Sequence, residues 1–365
     1  MGRIESAFAK NWISTEGPEI SDFEKKLQDL VGKPAVATNS GTSALHMAMM
    51  AVGIGEDDEV VVPSLNFVSA ANAVLYCGAR PVFIDSEYES CGIDPNLLEE
   101  FFAKRAGDGK LPKAVCVVHL FGHSVKLDEI ADLCHNYGVI LIEDAANSLG
   151  TLYKGEQVGQ FSDISITSFG GNKIITTSAG GAVFSDNLEW LEKIKFWSRQ
   201  SKDQDPEKIG NYYHSEVGYN YRISNVLAGL GLAQLEVLEE RVRQRRSVFD
   251  FYREAFRDCP GISAQTEADW TRHNRWLSIL LIDEKEFGTG VPDLIRHLSS
   301  KNIESRPVWK PLHTQKLFHG CEMIGGAVAE DLHKTGICLP SSSNLTEEDL
   351  SRVVDQVRSR SSVIR

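Results

Sequence analysis

Paired cysteines are missing from this chain: Cys77, Cys91, Cys116, Cys134, Cys259, Cys321 and Cys338 are odd in number, scattered, and contain no C-x-x-C. That pattern argues against a disulfide framework and against a zinc or iron–sulfur site, so no metal is expected and the thiols are read as reduced core residues of a cytoplasmic protein. Long apolar runs are missing too. Met1 to Trp12 carries Arg3, Glu5 and Lys10 and has no stretch of signal-peptide length, and no segment is apolar enough to span a bilayer. A basic surplus is absent: the net charge is -13, which leaves nothing to neutralise phosphates and argues against nucleic acid or an anionic membrane as partner. There is no internal repeat, no low-complexity tract, and no G-x-G-x-x-G after the first strand, which weakens a Rossmann-type nucleotide-binding reading.

What is present is an ordinary globular composition, 42% hydrophobic and 24% charged over 365 residues. At that length two domains are expected, a large one over residues 1–240, including the N-terminal segment, and a smaller C-terminal α+β domain over 241–365.

The chain is organised around Ser168-Phe169-Gly170-Gly171-Asn172-Lys173, closed by Gly180-Gly181. Asp163 to Phe169 alternates polar and apolar residues, a strand pattern that delivers Lys173 from a strand end, pointing inward. A lysine held away from bulk water loses its proton more readily and becomes a nucleophilic amine able to form an imine. Most lysines beside glycines are solvated loop residues, so the bend alone leaves both readings open.

Ser21-Asp22-Phe23-Glu24 fits a capping box before a helical stripe of Phe23, Leu27, Leu30 and Val31 that stops at Gly32. Pro34–Thr38 reads as a strand, and Asn39-Ser40-Gly41-Thr42-Ser43 as the turn into a helix from Ala44 to Val52. Free amides and hydroxyls at such a helix start suit a phosphate, although the same residues also make a plain helix cap. Strands are expected at Glu59–Pro63, Arg80–Asp85, Ala114–Val118 and Val139–Asp144, with helices at Ala70–Tyr76, Pro95–Lys104 and Leu127–Asn136. Short apolar strands alternating with helices predict an α/β fold with a large, mostly parallel sheet covered on both faces, and ligands in such sheets bind beyond the carboxyl ends of the strands. Gly41-Thr42, Asp144 and Lys173 all lie at those ends, with Phe67 adding an aromatic face.

Further on, Ala182–Ser185 reads as a strand and Asn187–Arg199 as a helix, and Ser201–Gly210 is read as a mobile loop. A single long amphipathic helix is expected from Ser224 through Leu227, Leu235, Leu238 and Val242, with Glu236, Glu239, Arg243 and Arg245 outward. Arg275–Ile282 and Glu304–Val308 read as strands, Val291–Ser299 as a helix, and Glu347–Val357 as a final helix behind the cap Thr346.

An imine-forming lysine, a carboxylate, a phosphate cradle and an aromatic plate together describe a site for pyridoxal 5'-phosphate. Asp144 would keep the pyridine nitrogen protonated, Gly41, Thr42 and Ser168 would take the phosphate, and Phe67 would stack on the ring. The segments Asn39–Leu45, Glu143–Asn147, Ser168–Lys173 and Gly218–Arg222 resemble the fold type I aminotransferases, and within them the DegT/DnrJ/EryC1/StrS sugar aminotransferases, over nearly the whole chain. The resemblance implies that Asn147 sits against the phenolic oxygen of the ring. It further implies a homodimer with shared sites, in which Asn220 reaches the phosphate of the neighbouring subunit.

Asn172–Thr177, Tyr213-His214, Asn274–Leu277 and Arg306–His313 resemble transaminases of the bacillosamine type. Those move the amino group of L-glutamate to the C4 ketone of a UDP-linked 4-keto-6-deoxy-N-acetylhexosamine for surface-glycan sugars. By the same likeness Trp12, Tyr213, His214, Trp309, Lys310 and His313 are expected near the sugar nucleotide, where a lysine and a histidine suit diphosphate oxygens. Asn66 stands where threonine is frequent and Asn147 where glutamine, glutamate or histidine is common. The chain starts almost at Asn11-Trp12-Ile13, so some substrate contacts of the family are expected to be supplied differently.

Three rivals remain. Sugar dehydratases of related fold replace the lysine by histidine or work beside an iron–sulfur cluster, which the presence of Lys173 and the scattered cysteines disfavour. A non-catalytic sensor of the cofactor or of a nucleotide sugar is the second, and an aminotransferase acting on GDP-4-keto-6-deoxymannose or another keto sugar is the third.

Overall fold

The computed structural model describes residues 2–361. Eight strands form the large sheet in the order Ala35–Thr38, Gly181–Phe184, Ile164–Ser168, Ile140–Asp144, Ala114–Val118, Glu59–Pro63, Arg80–Ile84 and Met323–Ile324. From Ile164–Ser168 to Met323–Ile324 every neighbouring pair is parallel. Gly181–Phe184 runs antiparallel to both of its neighbours. The sheet is therefore mixed but mostly parallel, as the alternation of strands and helices predicts.

Side-chain alternation divides the core into two layers. Val60, Val62, Ala114, Cys116 and Val118 face one way and pack with Ala44, Ala48, Ala70 and Val74 of the helices Gly41–Ala51 and Ser69–Tyr76. Val61, Val115 and Val117 face the other way, against Leu98, Phe102, Leu127 and Ile130 of Pro95–Gly107 and Leu127–Tyr137. Because the strands are buried on both faces, their apolar runs are continuous rather than alternating.

A second sheet of four antiparallel strands has the order Ile262–Ala264, Ser278–Ile282, Gly336–Leu339 and Arg306–Pro307. The helices Leu238–Phe256, Val291–Ser300 and Glu347–Arg358 pack on it through Val248, Tyr252, Leu294, Leu298 and Val353. The later part of the chain returns to the earlier part by strand pairing: Met323 and Ile324 pair with Phe83 and Ile84 at the edge of the large sheet, and Thr271 and Arg272 pair with Tyr153 and Leu152 in a separate three-stranded sheet.

Several local expectations are corrected. The first stripe helix spans Pro18–Val31 behind the N-cap Gly17, with no side-chain cap at Ser21. Pro18 accounts for the early start, since its fixed φ suits the first turn and it has no amide to satisfy. Glu24, assigned from sequence to a cap, instead accepts from the Ala37 amide at 2.8 Å and pairs with Arg222. True capping boxes lie at Ser40/Ser43 and, as expected for the cap Thr346, at Thr346/Asp349.

The helix expected from Ser224 breaks into Asn225–Leu235 and Leu238–Phe256. Arg245 is not outward, because its Nη1 donates to the Trp276 carbonyl at 2.8 Å. Within 201–210, Lys202–Asp203 forms a short ribbon with Tyr213–His214. The strand expected from Arg275 starts only at Ser278, since Arg275 is buried with a φ of 53° that no strand tolerates. Gly2–Ala9, Ala327–Thr335 and Gly336–Leu339 are elements the patterning does not reveal. Among the described residues no helix is long and apolar enough to cross a membrane.

Candidate active site

Asp144 is the last residue of its strand and is buried at 4% exposure. Its Oδ1 accepts from the Ala146 amide at 2.9 Å. Burial raises its pKa, opposed in part by that amide and by the charge of Lys173. The next strand, Ile164–Ser168, leads into a bend held at its base by Phe169 N–H to Gly180 O, 2.8 Å, and Thr177 N–H to Phe169 O, 3.0 Å. Lys173 sits within it, its own amide bonded to Gly170 O at 3.1 Å.

The Lys173 Nζ donates to Asn147 Oδ1 at 2.6 Å and lies 4.6 Å from the centre of the Trp276 ring. Burial lowers its pKa to about 8, with Asp144 acting in the opposite direction. A lysine so placed has a free-base population near neutral pH, which a solvated loop lysine lacks.

The third strand end supplies a helix start. Ser40 caps Gly41–Ala51 by accepting from the Ser43 amide at 3.0 Å, and Ser43 Oγ answers the Ser40 amide at 3.1 Å. The amides of Gly41 and Thr42 belong to the first turn, whose N–H groups have no partner within a helix. Ser168 closes against this turn so tightly that a Cβ on Gly41 would lie 2.7 Å from Ser168 Cβ. Glycine at 41 is thus what lets the strand end and the helix start share one small cup.

The remaining candidates are placed less centrally. Phe67 is 56% exposed, its ring 5.8 Å from that of Trp309, which also touches Phe121 at 4.8 Å and Trp276 at 6.1 Å. His313 is held between Ser64 Oγ at 2.6 Å and Glu330 Oε1 at 3.2 Å, so both ring nitrogens have partners in the chain. Lys310 is exposed. Asn220 is exposed, with its carbonyl accepting from Asn39 Nδ2 at 2.9 Å. Tyr213 and His214 lie on the exposed ribbon, and Trp12 is exposed with its carbonyl accepting from Asn225 Nδ2 at 2.9 Å.

With this geometry in place, comparison with known proteins is decisive. The model of the DegT/DnrJ/EryC1/StrS aminotransferase family matches residues 1–358. The chain belongs to this family. Among similar relatives, the putative pyridoxal phosphate-dependent aminotransferase EpsN of Bacillus subtilis is 47% identical, with 96% of this chain and 90% of that protein covered. GDP-perosamine synthase of Caulobacter vibrioides is 36% identical, covering 95% and 92%. The UDP-4-amino-4,6-dideoxy-N-acetyl-beta-L-altrosamine transaminase of Campylobacter jejuni is 34% identical, covering 95% and 90%. A DegT/DnrJ/EryC1/StrS aminotransferase structure from Brucella abortus superposes with a TM-score of 0.89 at 28% identity, covering 99% of this chain and 95% of that one.

DegT/DnrJ/EryC1/StrS enzymes are sugar aminotransferases that depend on pyridoxal phosphate. The chemistry present here fits that group: a buried amine with a lowered pKa for its aldehyde, a buried carboxylate for its ring nitrogen, and a cup at a helix N-terminus of the kind phosphates favour.

Other residues meet Lys173, Asn147 and Asp144 in the fold. Trp276 lies under the lysine amine, and Asn274 Nδ2 donates to the carbonyls of Asn147 and Leu149 at 3.0 and 2.9 Å. Behind Asp144, His119 Nε2 faces Glu143 Oε1 at 3.0 Å, both fully buried. The Asn-Arg-Trp triplet was visible as a motif, but its contact with Lys173 spans some hundred residues of chain. Alternation along Ile140–Asp144 could have flagged Glu143 as a carboxylate forced into the core.

Proposed function

We propose that this chain transfers the amino group of L-glutamate to the C4 ketone of a nucleotide-linked 4-keto-6-deoxy sugar, with a UDP-linked N-acetylhexosamine as the acceptor. The observation that carries the reading is the buried Lys173 amine, hydrogen-bonded to Asn147 and facing Asp144. When bound, pyridoxal phosphate supplies an aldehyde that carries the amino group and a ring that withdraws electrons from the adjoining carbon.

Asp144 would keep the ring nitrogen protonated, the amides of Gly41 and Thr42 and the hydroxyl of Ser168 would hold the phosphate, and Asn147 would meet the phenolic oxygen. With its amine free, Lys173 would act as the general base that takes the Cα proton of the amino acid, a role its lowered pKa favours. The same amine would move the proton in the opposite direction in the keto-sugar half, so that the two halves would form a ping-pong cycle. Phe67, in ring contact with Trp309, would stack on the cofactor ring, and Trp12, Tyr213, His214, Trp309, Lys310 and His313 are assigned to the sugar-nucleotide side. In a homodimer Asn220 completes the phosphate site of the neighbouring subunit.

The test is the absorbance spectrum of the purified protein with pyridoxal phosphate, before and after L-glutamate without any sugar. Loss of the visible band of the lysine-bound cofactor supports the donor half. A band that forms but does not respond to glutamate rejects that donor and favours another donor or a sensor. The GDP-linked alternative is favoured by the 36% identity to a GDP-perosamine synthase. A panel of UDP- and GDP-linked 4-keto sugars offered to the glutamate-treated enzyme discriminates the two by which of them restores the band.

A further inference from the structure

We propose that the His273–Trp276 segment is the seat of the unbound Lys173 amine: Trp276 carries the amine on the face of its indole while Asn147 accepts its hydrogen bond, so that it waits in one orientation between half-reactions. This rests on the aminotransferase reading, since only a lysine that leaves and re-forms a bond needs a resting place.

Four contacts make the seat. The Lys173 Nζ lies 4.6 Å from the indole centre, within the range at which a cation is attracted by the negative face of an aromatic ring. The indole Nε1 donates to the carbonyl of Asn172 at 2.6 Å, the residue immediately before the lysine. Asn274 Nδ2 donates to the carbonyl of Asn147 at 3.0 Å, and Asn274 Oδ1 accepts from the Trp276 amide at 2.9 Å. One short segment therefore grips both chain segments of the amine and its acceptor, which lie 26 positions apart.

That grip depends on an unfavourable backbone. Arg275 holds a φ of 53°, sustained by its guanidinium stacked 3.6 Å above the Phe249 ring centre, by Glu267, and by its amide donating to His273 Nδ1 at 2.8 Å. Arg245 fixes the Trp276 carbonyl at 2.8 Å from a third direction. A tryptophan serving only as filler needs neither a strained turn nor an indole N–H aimed at the residue beside the reactive lysine.

The charged group facing Lys173 is Asp144, itself influenced by His119 on the far side of its strand. Burial and the electrostatic attractions oppose each other at the amine, and the indole face belongs with Asp144 in favouring the protonated form. Weakening the ring should therefore lower the titration midpoint of Lys173 without changing its burial.

The experiment uses the full-length chain freed of cofactor, with the pH dependence of acylation of Lys173 read by mass spectrometry. Fluorinated tryptophans placed at position 276 keep the shape of the indole while depleting its negative face. The expected result is a midpoint that falls stepwise with fluorine count, by about half a pH unit for a strongly fluorinated ring. Trp276→Phe, which keeps a ring face and loses the N–H, should retain most of the midpoint and loosen Asn172. A midpoint indifferent to fluorination, in protein with a wild-type melting temperature, overturns the proposal. Glutamate conversion of the wild-type holoenzyme is scored separately: its failure removes the aminotransferase reading, whereas unmoved titration removes the seat alone.

Discussion

Glu143 and Asp144 are adjacent on one strand, both buried, and opposite in every other respect. Strand alternation sends them to opposite faces of the sheet. Glu143 Oε1 receives His119 Nε2 at 3.0 Å and the Gly159 amide at 2.8 Å, and Oε2 receives the Phe161 amide at 3.0 Å. Burial alone would raise its pKa, but the hydrogen bonds from His119 and Gly159 outweigh it and the pKa ends below the ordinary value. His119 Nδ1 accepts from the Val125 amide at 3.3 Å, which assigns the ring proton to Nε2, facing the carboxylate. Asp144, by contrast, takes the Ala146 amide and its pKa ends above the ordinary value. The first carboxylate is satisfied by the fold; the second is kept short of donors on the face where Lys173 stands. A carboxylate left in that state is suited to a cationic ligand group, and the contrast separates structure from chemistry within two residues.

The largest effect tests the chemical face. Lys173→Ala should reduce the glutamate half-reaction by about 10⁴-fold, followed by stopped-flow absorbance, while the melting temperature stays near that of the wild type. Asp144→Asn should come next, with a loss of about 10³-fold in the same assay. It should also raise the melting temperature at neutral pH, because it removes a buried charge that the fold pays to hold. A variant less active than wild type by under tenfold would place Asp144 with Glu143 as a structural group.

Glu143→Gln should do the reverse, costing about 2 kcal/mol of stability in denaturant titration and leaving the rate per folded molecule nearly intact. The pH dependence sharpens this. Glu143 has a depressed folded pKa, so its stabilisation is present above the unfolded carboxylate range and is lost as pH falls through the folded value. The deficit of Glu143→Gln should shrink in acid. Asp144 has a raised folded pKa, so its ionised form is the destabilising one, and the gain of Asp144→Asn should disappear as pH falls through that raised value. Melting curves at a series of pH values would show two differences both closing in acid, from opposite signs.

An effect of similar size probes the cup beside them. Gly41→Ala presses a methyl onto Ser168 and should cost about 1–3 kcal/mol, with a larger relative loss of cofactor affinity measured by titration. Equal affinity in that variant would remove the cup from the phosphate assignment.

How much of this was legible in the residues depends on distance along the chain. Seven of the eight strands of the large sheet (all but Met323–Ile324), the buried stripe Phe23, Leu27 and Val31, and the cap Thr346 follow from periodicity and from side chains acting on their own backbone within a few residues. Lys173, Asp144 and the helix start at Gly41 were singled out because each lies at a strand end of a sheet whose ligands bind there. The helix break at Glu236-Val237 and the inward turn of Arg245 escaped, since the apolar spacing runs on through the break and only the Trp276 carbonyl explains where the arginine goes.

The order of elements, the parallel character of the sheet and the residue types available for chemistry are properties of the sequence, because each arises from neighbours a few positions apart. Which of those residues meet was decided by the tertiary structure. Lys173 reaches Asn147 across 26 positions, and Trp276 reaches Asn172 across 104, through a turn that Arg275 holds against its own backbone preference. Burial decided the rest. The same carboxylate chemistry ended with a lowered pKa at Glu143 and a raised one at Asp144 because folding delivered more donors to one face of a strand than to the other.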